Sequence, residues 1–209
     1  MGAGARNIVV FGANGRTGRL VVTHAVHRGH TVTAFVRDAS KQWFPDAVAV
    51  RQGDPHDAAA VADALLGQDA VVSALGPIAG ETTTEISDAT RTIVEAMASV
   101  GVRRIAIAAN TRVFTDDEVT GEFANVAAEH RRDLAILRGS GLDWTVVAAP
   151  LLSDETVGAS YVAAVDGMAS GRSVTREDFA TALLDALDND DWIGHAVGVA
   201  NPPKARRDG

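Results

Sequence analysis

The chain has 209 residues, 46% of them hydrophobic and 22% charged, which suits one globular domain with a sizeable core. A net charge of -8 argues against a nucleic-acid surface, and the absence of cysteine excludes a disulfide framework, a thiolate nucleophile and thiolate metal sites. No uninterrupted apolar stretch approaches membrane-spanning length, and the segment from Met1 to Asn7 is too short and glycine-rich for a signal peptide, so a cytoplasmic protein without a membrane partner is expected.

The first predicted strand, Ile8 to Phe11, runs directly into Gly12, Gly15 and Gly18. Apolar residues then return at 21, 22 and 25, the spacing of one helix face, so the pattern is strand, tight turn and helix. Gly12 can take a turn geometry forbidden to a side chain, Gly15 lets backbone approach a phosphate, and Gly18 lets the helix lie close on the strand. The helix start aims unpaired N–H groups and the positive end of its dipole at an anion in the turn. This reads as a dinucleotide pyrophosphate site.

Short apolar runs and helical patterns then alternate, with no long linker and no internal repeat. The runs are Thr31 to Val36, Val48 to Val50, Ala70 to Ala74, Arg104 to Ala109 and Trp144 to Ala148. Helices are predicted at about 17 to 28, 57 to 66, 84 to 99 and 124 to 140, and Gly29, Gly67, Gly101 and Gly141 each follow one, where a left-handed cap is wanted. Such alternation implies right-handed crossovers and a parallel sheet covered on both faces: a single-domain doubly wound α/β fold over 1–209.

After the second strand, a carboxylate would ordinarily hold the adenosine ribose of NAD, but the sequence reads Val36-Arg37-Asp38-Ala39-Ser40-Lys41. Arg37, with Lys41 as a second cation, is placed to meet a ribose 2′-phosphate, which favours NADP(H); the plainer reading makes them loop charges, and Asp38 keeps NAD(H) open. Asp54, after the third strand, either accepts from the adenine amino group or forms the turn before Pro55. The fourth run ends Ala74-Leu75-Gly76-Pro77, small residues at the end of the sheet where ligands of open α/β folds sit.

The stretch Gly12-Ala-Asn-Gly-Arg-Thr-Gly18, with Val36-Arg37-Asp38, Gly53-Asp54, Asp69 to Gly76, Ser140 to Val147 and Ser173 to Ala180, resembles the atypical short-chain dehydrogenase/reductases. Within these it is most similar to the NAD(P)H-binding proteins of the NmrA-like and flavin reductase/biliverdin-IXβ reductase type. The resemblance implies that Gly12, Asn14, Gly15, Arg16, Thr17 and Gly18 carry the pyrophosphate turn. It gives the 2′-phosphate to Arg37 and Lys41, the adenine to Asp54 and the nicotinamide side to Leu75 and Gly76, and residues from about 149 to 209 complete the substrate side.

Many short-chain reductases carry a Tyr-x-x-x-Lys pair on the helix after the fifth strand. Here Val126 stands in the place of the tyrosine and His130 in that of the lysine. The one tyrosine is Tyr161 and the lysines are Lys41 and Lys204, so the pair cannot form anywhere in the chain. A flat conjugated acceptor, a flavin or a quinone, suits that loss, because charge entering a delocalised ring needs less help from a protein acid. His130, with a pKa expected near neutral, is the candidate proton donor, against a plainer reading as a helix-surface histidine between Glu129 and Arg131. The alternative function is an NADP(H)-sensing regulator without chemistry. Arg131 and Arg132 read as a solvated helix face, the alternative being that they reach an anionic substrate. No metal is expected, since Gly29 ends the helix before His30 and keeps His24, His27 and His30 off one face.

Overall fold

The computed structural model describes residues 4–41, 43–76, 83–155 and 160–203; the side chains of Lys41 and Glu122, and the whole of Pro77 and Lys204, lie outside the described residues. Strand β1 (Asn7–Phe11) leads into helix α1 (Arg16–His27), then β2 (Thr31–Val36), β3 (Ala49–Gln52), α2 (Ala58–Leu65) and β4 (Ala70–Ser73). The second half runs α3 (Glu85–Val100), β5 (Arg104–Asn110), α4 (Ala124–Arg138) and β6 (Asp143–Ala149). It continues through β7 (Leu152–Ser153), β8 (Val162–Val165), β9 (Val174–Thr175), α5 (Arg176–Asp188) and β10 (His195–Ala200).

Eight strands form one sheet in the order β3-β2-β1-β4-β5-β6-β10-β8, parallel except for the β8 edge, which pairs antiparallel with β10. This is the doubly wound Rossmann arrangement, and the strand order reverses next to β1, where ligands of such sheets bind. Within β1, Ile8 and Val10 pack into the layer that holds α1 and α5, whereas Val9 and Phe11 pack towards α2, α3 and α4. Strand residues apolar at every position are therefore buried on both faces, each large side chain contributing about 1.5–3 kcal/mol.

The expected caps form: Gly29, Gly67, Gly101 and Gly141 all have φ between 68° and 82°. Asp57 caps α2 through the N–H groups of Ala59 and Ala60. Strand β3 lies one residue later than Val48 to Val50, because Val48 is buried ahead of the ladder while Ala49 to Gln52 pair with Thr33 to Val36.

Arg104, the first residue of β5, is buried at the end of the sheet opposite the glycine turn. Its guanidinium donates to the Thr145 hydroxyl at 2.8 Å, the Asp143 carbonyl at 2.5 Å and the Ala186 carbonyl. Burial pulls its pKa down to about 10, so it stays charged and pins β5, β6 and α5 together.

Candidate functional site

The glycine turn closes through the Gly15 N–H, which donates to the Gly12 carbonyl at 2.9 Å. Gly12 has φ +74°, and a Cβ there would stand 2.8 Å from the Ala74 carbonyl carbon and oxygen. A Cβ on Gly18 would drive into the Gly12 carbonyl, so this glycine sets how closely α1 lies on the turn. Gly15 itself is exposed, and a Cβ would meet only the Gly12 oxygen, at 3.1 Å. The first turn of α1 leaves backbone N–H groups, those of Arg16 and Thr17 among them, without an intrahelical acceptor. This cradle is open to an anion and closed to side chains, which fits a dinucleotide pyrophosphate.

Asn14 ties the turn to the end of β2. Its amide donates to the Asp38 carbonyl at 3.4 Å, while its own backbone carbonyl accepts from Arg19 Nε at 3.1 Å. The Asn14 Oδ1 is buried with no partner, an unused acceptor beside the turn. Asp38 Oδ1 accepts from the Ser40 N–H at 3.0 Å and the Ser40 hydroxyl at 2.6 Å, so this carboxylate braces its own loop. Arg37 is exposed and makes no hydrogen bond or ion pair among the described residues; its charge helps to hold the Asp54 carboxyl low.

Asp54 is engaged as well. One of its oxygens accepts from the His56 N–H at 3.0 Å and from His56 Nδ1 at 2.7 Å, while His56 Nε2 reaches the Glu85 carbonyl at 2.9 Å. Both ring nitrogens thus face acceptors, which favours the imidazolium and raises the His56 pKa, chiefly through the Asp54 bond. The His56 backbone bond lowers the Asp54 pKa most. The Oδ2 oxygen of Asp54 has no hydrogen bond to another described residue. At the end of β4, Leu75 is half-buried and Gly76 exposed, next to the turn through the bond from the Ala74 N–H to the Phe11 carbonyl at 3.0 Å.

His130 corrects the sequence reading. It is not on the helix surface but buried at 7% exposure against the end of β5, where its Nδ1 accepts from the Asn110 N–H at 3.1 Å. Burial drives its pKa down to about 4, far from the neutral value expected. The Asn110 bond assigns the ring proton to Nε2, so the side chain is a neutral N–H donor. Nor are its neighbours a solvated face. Arg131 donates to the carbonyls of Arg112, Thr115 and Asp117, and Arg132 to the Ser87 hydroxyl and the Thr83 carbonyl. His24 turns to Glu177 at 2.6 Å, away from any cluster with His27 and His30.

The structure thus gathers Gly12 to Gly18, Arg37, Asp54, Leu75, Gly76 and His130 at the carboxyl ends of β1 to β5. Two further charges stand at this end: Asp154, which no sequence pattern marks, and Arg176, which lies in the family-like stretch Ser173 to Ala180 but carries no expected role there. Asp154, just after β7, pairs with Arg16 in the glycine turn and stands 2.8 Å from Arg176, the first residue of α5.

Among known proteins, the chain is 28% identical over 200 residues, 87% of its length and 92% of the other's, to the uncharacterised protein YwnB of Bacillus subtilis. A solved structure of a candidate exported protein from Burkholderia pseudomallei is 26% identical with a TM-score of 0.80, covering 93% of this chain and 99% of that one. A candidate NADH-flavin reductase from Streptococcus pneumoniae shares the fold at 23% identity and a TM-score of 0.77, covering 94% of this chain and all 100% of its own. The sequence matches the NAD(P)H-binding family model over residues 12–190, so the chain belongs to that family of NAD(P)H-binding proteins, here with a Rossmann fold.

Proposed function

We propose that the protein is an NADPH-dependent reductase whose acceptor is a flat conjugated ring, a flavin or a quinone. The observation that carries this reading is at the end of β5, where His130 is buried and held neutral, in a chain whose sequence has no Tyr-x-x-x-Lys pair. A carbonyl substrate needs an acid at the oxygen that receives negative charge, whereas a delocalised ring spreads that charge and takes its proton from solvent. The name of the Streptococcus neighbour, a flavin reductase, agrees with this choice.

When bound, reduced nicotinamide supplies the hydride. The remaining work falls to this chain's residues. The backbone of Gly12, Gly15, Thr17 and Gly18, with Asn14, holds the pyrophosphate. Arg37, helped by Lys41, forks onto the 2′-phosphate, Asp54 Oδ2 accepts from the adenine, and Leu75 and Gly76 floor the nicotinamide. The His130 Nε2–H donates a hydrogen bond to an acceptor oxygen, an electrophilic role open to a neutral imidazole. The segment from about 149 to 209 completes the acceptor side. The test is NADPH oxidation followed at 340 nm across flavins and quinones. Turnover on at least one class is expected. Tight NADPH binding with no oxidation by any acceptor would replace this reading with that of a non-catalytic NADP(H) sensor.

A further inference from the structure

Helices α1 and α5 lie side by side and both begin at the glycine-turn end of the sheet. Each opens with an arginine, Arg16 and Arg176, and the two guanidinium groups converge on the single carboxylate of Asp154. Two cations share one anion, so the trio keeps a net positive charge beside two helix starts that also favour anions. Of the acids in the first turn of α5, Glu177 pairs with His24 and Asp178 accepts from Thr175 and Asn201.

Arg176 is the informative member. Its side chain is only 15% exposed, and its Nε, although 2.8 Å from an Asp154 oxygen, is buried without a hydrogen bond of acceptable geometry. Burial, and then the nearby charge of Arg16, lower its pKa. Its one close anion among the described residues is the Asp154 carboxylate, at ion-pair distance but poorly aligned for a hydrogen bond. Asp154 is easily moved by comparison: it is half exposed, and it follows a strand tethered by two residue pairs, Leu152 with Val174 and Ser153 with Thr175. Arg16 sits inside the turn that the family uses for a nucleotide, and its side chain is turned away to Asp154.

We propose that Arg16 and Arg176 form an anion subsite for the pyrophosphate of the dinucleotide, and that Asp154 is an internal anion occupying this subsite until the ligand takes Arg16 from it. The inference rests on the glycine turn being the pyrophosphate site. It adds Arg176 as a cofactor-binding residue and makes Asp154 a competitor of the cofactor. Because Asp154 follows β6 on the substrate side, the exchange also couples cofactor binding to the position of residues 151–155. The exchange trades one charge-assisted pair for another, so the net effect on affinity is modest.

The test is titration calorimetry of NADPH and NADH with the intact protein, Asp154→Asn, Arg176→Ala, and Asp154→Asn combined with Arg16→Ala. Removing the competing charge should tighten both dinucleotides by about three- to tenfold, and losing Arg176 should weaken both by a similar factor. The tightening should be smaller in the Arg16→Ala background, where only Arg176 is left to be released. A merely structural Asp154 would loosen its segment on mutation and weaken binding, so the sign of the change is the diagnostic. Unchanged or weaker binding by a folded Asp154→Asn variant would overturn the proposal, as would tightening confined to NADPH, which would move the subsite to the 2′-phosphate. Failure of the unmutated protein to bind either dinucleotide would instead overturn the glycine-turn assignment on which the proposal stands.

Discussion

Replacing Asp133 by asparagine should stabilise the protein at alkaline pH and change little in acid. Asp133 lies on α4 at 1% exposure, and neither carboxyl oxygen has a hydrogen bond of good geometry. Burial is the main cause that lifts its pKa to about 7 from 3.8; nearby Glu129 adds to the rise, while the Thr90 hydroxyl and Arg132 oppose it. The unfolded chain therefore releases this proton near pH 4 and the native protein near pH 7. Between those values the native state binds more protons, so stability falls as pH rises and levels off above pH 7. A gap of about three units at about 1.4 kcal/mol each makes the full loss about 4 kcal/mol. Asparagine keeps the shape and cannot ionise. Urea unfolding of both proteins at about pH 4, 6 and 8 should give a stability difference near zero in acid that grows to several kcal/mol in favour of the variant. A difference that does not depend on pH, or a variant less stable at pH 8, would refute the assignment of a strained buried carboxyl.

His130 acts with the opposite sign. Its native pKa of about 4 lies below the unfolded value of 6.5, so stability should be lost as pH falls from about 6.5 towards 4. The same shift predicts that turnover on a flavin or quinone is flat between about pH 6 and 8, and that His130→Ala lowers it by about tenfold with NADPH affinity unchanged; full turnover in the variant would make the residue a bystander. Gly15→Val fills the mouth of the cradle without touching the core, so NADPH binding should fail while the circular dichroism spectrum stays native, and normal binding would show that the site is misplaced. Arg37→Ala should cost NADPH about 2 kcal/mol and NADH far less, since only NADPH carries the 2′-phosphate; equal affinities of the unmutated protein for the two would sink the preference.

The difference between what the sequence displays and what it hides is one of range. The β1 to α1 unit is legible because everything that defines it, an apolar run, three glycines and a returning apolar face, lies within 18 residues of contiguous chain. The parallel order follows from alternation, and the four glycine caps from a local backbone requirement. Arg37 is legible by position alone, one residue past β2. The antiparallel β8 edge is not, since its four residues carry an unremarkable pattern and only pairing with β10 defines them.

Charged residues on α4 show why the site is harder than the fold. Ala127, His130, Leu134 and Leu137 recur at the spacing of one helix face, and all four are buried, so the stripe itself marked His130 as an inward residue. The flanking charges Glu129 and Arg131 suggested a wet surface instead, because charged side chains are rarely buried unless paired. Here they are paired, through contacts that no local pattern announces: Glu129 accepts from the Ser87 N–H at 2.8 Å across 42 residues, and Arg131 ties down the chain after β5. Asp154 lies 138 residues from Arg16, and its partnership exists only once β6 has delivered the chain to the turn. Local signals suffice to build the cradle for a nucleotide. The charges around it are placed by tertiary packing, which is why the partners of His130 and Asp154 show in the structure and not in the sequence.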